Sequence, residues 1–414
     1  MPQADPQIPD VSCRASDMPR SSIRRLFNAA NALIARGETV YRLDIGDPDF
    51  ELPERIIAGI TDALARKQTH YSPMVGIPQL REAIAQRMLS RFNLDCLPGQ
   101  IVCNQGATQA LNACLQLSCD SGDSIMLPEI YWPNYIQQTT LSGVRPLFYP
   151  LDRNFTPQTG ALGQLWDPTV KAILINTPGN PTGALFPPAQ VRELYAFARE
   201  HGLWIISDEA YCDYVYEGEF LSPLQVDMEH RETDRRVLAV FSFSKSYAAT
   251  GLRMGYTITP SLEIASTLGL LNEPLTGSLT TPLQWGMVRA LETEDPHERC
   301  AALRGRWQLA GEILRDSGFA AQPPQGGLFY FIDISCTGLS ADDFADRLLA
   351  EKHVAVVPGS GFGLQPQQLP DGRLQFKPHA MANSCVRLCF AVPEAQLREG
   401  VKRLGAFIAD HCPR

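Results

Sequence analysis

Short apolar runs alternate with helical patterns along much of this chain, and this alternation restricts the fold more than any other feature. The runs that predict buried strands lie at residues 101–103, 124–127, 172–175, 203–206 and 237–240. Helical patterns at 108–117 and 191–201 separate some of them. Because parallel strands need a long crossover connection, the pattern predicts an α/β fold. We expect a mostly parallel sheet covered by helices on both faces.

The pattern changes beyond about residue 295. A helical stretch there is followed by strand-like runs at 328–332, 354–357 and 386–390. We therefore predict a large domain over 48–295 and a smaller α+β domain formed by 21–47 with 296–414. The Pro-rich residues 1–20 are expected to form a loose arm. A helix capped by Ser21 or Ser22 is expected to follow it, with the apolar stripe Ile23, Leu26, Phe27, Ala30 and Leu33.

Charge and composition exclude several classes of function. The net charge of -9 argues against nucleic acid or an anionic membrane as the main partner. No apolar run approaches the length of a membrane span, and the first residues do not resemble a secretory signal. The 11 cysteines include no Cys-x-x-Cys pair, so we expect buried thiols in a cytoplasmic protein. The histidines lack metal-ligand spacing, and we predict no metal site.

Two motifs follow predicted strands and could bind an anion and a ring. Gly106, Ala107 and Thr108 stand between a strand and a helix, where backbone N–H groups can meet a phosphate. An ordinary strand–helix turn is the alternative. In the second motif, NTPGNPTG at 176–183, prolines and glycines fix an irregular turn. The amide of Asn180 could there hydrogen-bond a ring oxygen.

A third motif places a carboxylate at the end of a buried strand. Asp208 stands where α/β sheets bind their ligands, and a buried carboxylate needs a cationic partner. A protonated pyridine nitrogen would be such a partner, although a helix N-cap is the alternative. Tyr211, three residues later, could donate to the phenolate oxygen of the same ring.

The fourth motif contains a lysine among hydroxyl residues. Lys245 follows Ser242 and Ser244, and Arg253 comes eight residues later. The amine can form a Schiff base with an aldehyde, while the hydroxyls and the arginine can hold a phosphate. A phosphate cup, a pyridinium partner and a Schiff-base lysine together describe pyridoxal 5'-phosphate (PLP).

These ordered motifs resemble those of the class I/II aminotransferases, which are fold type I PLP-dependent enzymes. The similarity also includes GDP at 46–48, HYSPMVG at 70–76 and VRLCF at 386–390. It implies a large domain with a mostly parallel, seven-stranded sheet and a smaller α+β domain. It further implies a homodimer in which Tyr71 reaches the phosphate of the neighbouring subunit. The cofactor-binding residues that it implies are Gly106, Ala107, Thr108, Trp132, Asn180, Asp208, Tyr211, Ser242, Ser244, Lys245 and Arg253.

The resemblance also implies a reaction. Lys245 would be the Schiff-base lysine and proton shuttle, with Asp208 and Tyr211 as its catalytic partners. Arg387 would hold the substrate α-carboxylate beside Gly46 and Asn180. The expected reaction moves an amino group between an L-amino acid and a 2-oxo acid. A PLP-dependent lyase, cyclase or elimination enzyme on the same scaffold is the alternative, and a non-enzymatic ligand sensor is a more distant one.

Two features of the sequence bear on the substrate but do not identify which amino acid it is. Dicarboxylate-specific relatives use an extra cation, for which Arg20, Arg24 and Arg25 are candidates by position; the alternative is that they are helix-surface arginines. The Gln-rich segment between Gly363 and Val386 is longer than in typical relatives and leads into Arg387. It is either a lid or an inert surface loop.

Overall fold

The computed structural model describes residues 11–19, 22–293, 296–319, 321–370 and 373–412. Residues 1–10, Arg20 and Ser21 lie outside this part, and with them most of the predicted arm and one of the two predicted helix caps. The helices are α1 (Cys13–Ser16), α2 (Ser22–Ala35), α3 (Glu54–Ala65), α4 (Pro78–Phe92), α5 (Gly106–Ser118), α6 (Asn134–Ser142), α7 (Leu162–Leu165), α8 (Pro188–Glu200), α9 (Pro223–Met228), α10 (Phe243–Ser246), α11 (Leu262–Thr276), α12 (Thr281–Thr293), α13 (His297–Asp316), α14 (Ala341–Lys352), α15 (Ala380–Asn383) and α16 (Glu394–His411). The strands are β1 (Tyr41–Arg42), β2 (Ile101–Asn104), β3 (Ser124–Pro128), β4 (Arg145–Tyr149), β5 (Val170–Asn176), β6 (Trp204–Asp208), β7 (Val237–Ser242), β8 (Gly255–Ile258), β9 (Phe329–Asp333), β10 (Val354–Ala355), β11 (Val357–Pro358), β12 (Leu364–Gln368), β13 (Leu374–Pro378) and β14 (Cys385–Cys389).

The largest sheet has seven strands in the order β2-β8-β7-β6-β5-β3-β4. Strand β8 is antiparallel to both of its neighbours, and the other pairs are parallel. The inner strands β6 and β7 are almost wholly buried, because their side chains pack against layers on both faces. The predicted α/β fold with a mostly parallel sheet is confirmed. Strands β4 and β8 were not predicted from the sequence.

Smaller sheets form from the two ends of the chain. Strands β11, β14 and β9 form an antiparallel sheet, and β1 pairs in parallel with β10. The cluster of buried side chains around them joins Leu26 and Leu43 to residues of α13, α14 and α16, including Phe344 and Phe407. Residues of α2 thus share a core with residues beyond 296. The division at 47/48 and 295/296 stays a prediction.

Local signals fix the ends of several helices. Helix α4 has Pro78 in its first turn and is followed by Asn93, which caps it in the left-handed conformation with φ 53°. Ser340 caps α14 by accepting a hydrogen bond from the Asp343 backbone N–H. On α2, Leu26 and Ala30 of the predicted stripe are buried, whereas Phe27 is exposed. The prediction that Phe27 faces a core is therefore wrong.

The Gln-rich segment forms regular structure. Strands β12 and β13 pair as an antiparallel hairpin, from Leu364 opposite Pro378 to Gln368 opposite Leu374. The short helix α15 then leads into β14. Most of the hairpin is exposed or half-buried, but Phe376 packs against a buried cluster that includes Tyr131. The segment is therefore a β-hairpin anchored on the protein and not an irregular loop.

The prediction for the cysteines is partly wrong. Eight free cysteines are buried, at positions 96, 103, 114, 119, 212, 300, 385 and 389, whereas Cys13 is exposed. Cys336 and Cys412 form a disulfide between the turn after β9 and the end of α16. The two cysteines are 76 residues apart, so the sequence contains no local signal that they pair. No described helix is both long and apolar enough to cross a membrane.

Candidate active site

A cavity of about 320 Å³ opens at the carboxyl ends of the central strands. Asn176, Asp208 and Ser242 are the last residues of β5, β6 and β7, and all three line it. Ligands of α/β proteins bind at this edge because neighbouring strand ends and loops converge there. The lining is formed by Ile23, Gly46, Ala107, Thr108, Trp132, Tyr135, Asn176, Asn180, Asp208, Ala210, Tyr211, Ser242, Ser244, Lys245, Thr250, Arg253, Phe329 and Arg387.

One wall of the cavity can hold a phosphate. Helix α5 begins at Gly106, so the first backbone N–H groups of the helix are directed to this wall. The Arg253 guanidinium donates to the Thr250 carbonyl at 2.9 Å and to the Ser244 hydroxyl at 3.4 Å. A cation, hydroxyl groups and a helix N-terminus together suit a phosphate group.

The fit of Arg253 against the helix requires a glycine at position 106. Gly106 has φ +76°, and an added Cβ would lie 2.6 Å from Nη2 of Arg253. Alanine would therefore be strained in its backbone and would also displace the guanidinium.

For Gly106→Ala we expect the Kd for PLP to rise at least about tenfold, measured by titrating the apoprotein. Gly37→Ala is the control, because Gly37 has φ +85° but no atom within 4 Å of an added Cβ. Equal PLP affinity of Gly106→Ala and Gly37→Ala would contradict this account of the phosphate wall.

Asp208 is buried at the floor of the cavity. The Tyr135 hydroxyl donates to its Oδ2 at 2.6 Å, and the backbone N–H of Ala210 donates to Oδ1 at 3.1 Å. Burial raises the pKa of Asp208, while these two hydrogen bonds act in the opposite direction. A protonated ring nitrogen would supply the positive charge that a buried carboxylate needs. No role for Tyr135 was predicted from the sequence, although the residue lies three positions after Trp132.

A hydrogen bond joins the turn at 176–183 to the end of β6. The Asn176 side chain donates to the Asp208 carbonyl at 3.0 Å and accepts from the Asn180 backbone N–H at 2.9 Å. Asn180 and Tyr211 are thereby brought to the same wall of the cavity. Burial raises the pKa of Tyr211, so its hydroxyl stays protonated and available as a donor.

Lys245 lies in the cavity, on the short helix α10. Its Nζ donates to the carbonyl of Gly46 at 2.5 Å. Burial lowers the pKa of Lys245 to about 8, although Asp47 and Cys389 act in the opposite direction. The positive charges of Arg387 and Arg253 contribute to this lowering of the pKa. A lysine with this pKa is partly neutral near pH 7–8, as a nucleophile or a base must be.

Arg387 is a buried cation in the middle of β14. Its Nη2 donates to the Asp44 carbonyl at 2.7 Å, and its Nη1 donates to the Asn180 side chain at 3.1 Å. Its guanidinium carbon lies 4.2 Å from the ring centroid of Phe329 and 5.0 Å from that of Phe362. Its buried Nε has no hydrogen-bond partner. These contacts include no carboxylate, so the guanidinium could bind one.

Buried next to Asp208 is a second carboxylate, Glu209. Its Oε1 accepts from the hydroxyls of Ser207 at 3.0 Å and Ser222 at 2.6 Å. Burial raises the pKa of Glu209 from 4.5 to about 7. The folded state therefore binds this proton more tightly than the unfolded state does. The stability that the group contributes is fully present below pH 4.5 and is lost as the pH rises through 7.

Replacing Glu209 by glutamine should remove this pH dependence. We expect the free energy of unfolding of wild type, relative to Glu209→Gln, to fall between pH 5 and pH 8 by on the order of 2–3 kcal/mol. Urea unfolding of the holoprotein at several pH values measures the difference. Glu394→Gln, in an exposed ion pair with Arg398, is the control and should keep the wild-type slope. If the free energy of unfolding of Glu209→Gln depended on pH as that of wild type does, Glu209 would be ionised throughout this range in the folded protein.

Of the residues predicted for the site, Tyr71 and Gly106 are absent from the cavity lining. Gly106 borders the cavity through its contact with Arg253. Tyr71 is 93% exposed on a different surface of the chain. Half-buried Trp132 lines the cavity and packs edge-on against Tyr135, with ring centroids 5.6 Å apart.

Two of the three arginines that were candidates for the extra cation of dicarboxylate-specific relatives do not line the cavity. Arg25 forms ion pairs with Asp342 and Asp346 on the surface of α2. Arg24 is also exposed, and Arg20 lies outside the described residues. The cavity lining includes neither Arg24 nor Arg25, and no described residue of the Gln-rich hairpin.

The sequence model of the family "Aminotransferase class I and II" matches residues 38–404. The chain belongs to this family. An aspartate aminotransferase of Thermotoga maritima is 33% identical over 402 residues, which cover 96% of this chain and 99% of the relative. A (5-formylfuran-3-yl)methyl phosphate transaminase of Methanocaldococcus jannaschii is 31% identical over 401 residues, which cover 96% and 99%.

Solved structures of aminotransferases agree with this assignment. The crystal structure of an aspartate aminotransferase from Thermotoga maritima superimposes with a TM-score of 0.86 at 32% identity. The match covers 96% of this chain and 99% of that one. The predicted class I/II aminotransferase family and its fold type I are therefore confirmed. The chain is an enzyme, a PLP-dependent transferase of the aminotransferase type.

Proposed function

We propose that this aminotransferase moves an amino group from an L-amino acid to a 2-oxo acid through a covalent link between PLP and Lys245. The observation that carries the proposal is the convergence of three groups on one cavity. These groups are the Lys245 amine, the Asp208 carboxylate and the Arg387 guanidinium. They come from α10, β6 and β14, and each suits a different part of the reaction.

The residues of the cavity fit the cofactor. The N-terminus of α5, the hydroxyls of Ser242 and Ser244, and Arg253 would hold the phosphate. Asp208 would pair with the ring nitrogen, while Asn180 and Tyr211 would contact the ring oxygen. Bound PLP supplies an aldehyde that takes up the amino group and an electron-poor ring that stabilises charge developing at the α-carbon. Trp132 would stack on the ring.

Lys245 would act as both nucleophile and base. The Gly46 carbonyl orients its Nζ, and burial keeps a useful fraction of the amine neutral. The neutral amine can accept the proton from the substrate α-carbon and return it on the same side of the cavity. A lysine can do this because its long side chain reaches several positions from one fixed turn.

Arg387 and Gly46 would bind the α-carboxylate of the substrate, with Asn180 orienting the guanidinium. Each Nη of Arg387 makes one hydrogen bond to the protein and carries a second N–H, from which a substrate carboxylate could accept. Burial strengthens such an ion pair by removing competing water. The α-carboxylate would thus hold the α-carbon near Lys245.

The proposal includes a homodimer and a cytoplasmic location. The 93% exposure of Tyr71 supports the dimer, because a large aromatic residue is rarely left in water without a partner. In a dimer, Tyr71 would complete the phosphate site of the other subunit. Sedimentation equilibrium tests this part of the proposal, and a fully active monomer would contradict it.

Chemical fixation tests the link to Lys245. Borohydride reduction of the holoprotein should attach the cofactor irreversibly to its lysine. We expect peptide mapping by mass spectrometry to find the label on the peptide that contains Lys245. Label on Lys171, Lys377 or another exposed lysine instead would refute the proposed attachment.

A further inference from the structure

Residues 243–247, called the lysine turn below, are joined by hydrogen bonds to the loop that follows Asp208. The Ser246 hydroxyl donates to Oδ2 of Asp213 at 2.5 Å. The Tyr214 hydroxyl donates to the backbone carbonyl of Lys245 at 2.7 Å. One short segment, 208–214, therefore begins with the proposed ring partner and ends with two contacts to the lysine turn.

Asp213 is itself held in place by an arginine of α4. Nη2 of Arg87 lies 2.6 Å from Oδ2 of Asp213, and the Asp213 side chain is 1% exposed. Arg91, one helical turn later, places its Nε 3.6 Å from Oδ1. A buried carboxylate is stable only when it is paired in this way. The pairing also fixes the position of the oxygen that accepts from Ser246.

Helix α13 contacts the other side of the lysine turn. Nε of Arg299 donates to the Ser246 carbonyl at 3.0 Å. The ring centroid of Tyr247 lies 5.6 Å from the guanidinium carbon of Arg87 and 5.8 Å from that of Arg299. The residues immediately after Lys245 are therefore held by groups from α4, α13 and the 208–214 segment.

We propose that Asp213 is a positioning residue for the reaction and acts through the Ser246 hydroxyl. Asp213 thereby fixes the position of the lysine turn relative to Asp208 and Tyr211. Neither Asp213 nor Ser246 lines the cavity, so their effect is on geometry and not on direct contact with the cofactor. The inference rests on the proposed role of Lys245. Proton transfer and covalent attachment both depend steeply on the position of the amine.

Two variants separate this effect from a general loss of stability. Ser246→Ala removes the hydroxyl contact but keeps the Arg87–Asp213 ion pair, while Asp213→Asn removes the charge at nearly constant shape. In the holoenzyme we expect each to lower kcat by about tenfold with KM changed less than about twofold. We also expect the pH midpoint of the cofactor absorbance change to shift in both variants.

Asp227→Asn is the matched control. Asp227 is equally buried and accepts from the Tyr195 hydroxyl and the Arg236 backbone N–H, both at 2.9 Å, near the start of β7. Asp227 does not line the cavity. Its loss should lower the unfolding temperature while kcat and the spectral midpoint stay at their wild-type values.

Wild-type kcat and spectral midpoint in both Ser246→Ala and Asp213→Asn would overturn the proposal. The same is true if Asp213→Asn fails to fold and Ser246→Ala is normal, since Asp213 would then only support the fold. A spectral midpoint that persists in Lys245→Ala would instead refute the role of Lys245. That result is distinguishable from a failure of the positioning role alone.

Discussion

Replacing Lys245 by alanine is expected to stop turnover while the protein stays folded and still binds PLP. The phosphate wall and Asp208 remain in the variant, so most cofactor contacts are kept. The amine that accepts and returns the substrate proton is lost, and general acid–base catalysis alone is worth roughly 10²–10⁴-fold. The rate of amino-group transfer and the absorbance of the bound cofactor measure the effect.

The control for this variant is Lys171→Ala, since Lys171 is exposed and its Nζ donates to the carbonyl of Pro168. It should keep wild-type turnover. Turnover within about tenfold of wild type in Lys245→Ala would remove the central assignment, because that residual rate exceeds what the loss of a general base allows.

Replacing Arg387 by lysine is expected to weaken amino-acid binding and leave the cofactor spectrum unchanged. Lysine keeps the charge but cannot reproduce the planar fork that is held by Asn180 and the Asp44 carbonyl. A hydrogen bond to a charged group is worth about 1.5–3 kcal/mol, so KM should rise at least tenfold. Steady-state kinetics over a range of amino-acid concentrations measures this.

Arg25→Lys is the matched control, because Arg25 pairs with two carboxylates on the exposed surface of α2. Surface ion pairs contribute little, and KM should not change. If Arg387→Lys also keeps the wild-type KM, another group binds the substrate carboxylate.

The inner strands were predictable because burial on both faces makes their sequences continuously apolar. Strands β5 and β6 are examples, and they overlap the runs predicted at 172–175 and 203–206, with ends that differ by one or two residues. Strand β4 lies at the edge of the sheet, is partly exposed and contains Pro146, so it has no such run. Strand β8 is four residues long and follows directly after the Arg253 motif.

The cofactor motifs were predictable because each is short and lies at a strand end. The carboxyl ends of parallel strands meet at one edge, so Asp208 and Lys245 could be placed together before the structure was known. The contacts that hold these residues were not predictable. Tyr135 is 73 residues from Asp208, and Asp213 is 33 residues from Ser246. Such pairs depend on tertiary packing and leave no periodic signal in the sequence.

The hairpin formed by β12 and β13 could not be predicted for a different reason. Its strands are rich in glutamine and contain proline, so neither propensity nor alternation indicates a strand. The pairing is supported instead by tertiary contacts at its base. His379 donates its backbone N–H to the Gly363 carbonyl at 2.7 Å, and the hydroxyl of Tyr131 donates to the Leu364 carbonyl.

The most direct test of the proposed reaction is a single half-reaction. The holoenzyme is mixed with an excess of a good amino-acid substrate and no 2-oxo acid, while cofactor absorbance and products are followed together. Transamination predicts one equivalent of 2-oxo acid per active site and conversion of the bound cofactor to its amine form. Adding a 2-oxo acid should then restore the aldehyde form. Many turnovers without any 2-oxo acid, with the aldehyde form retained, would contradict transamination and indicate a lyase or cyclase.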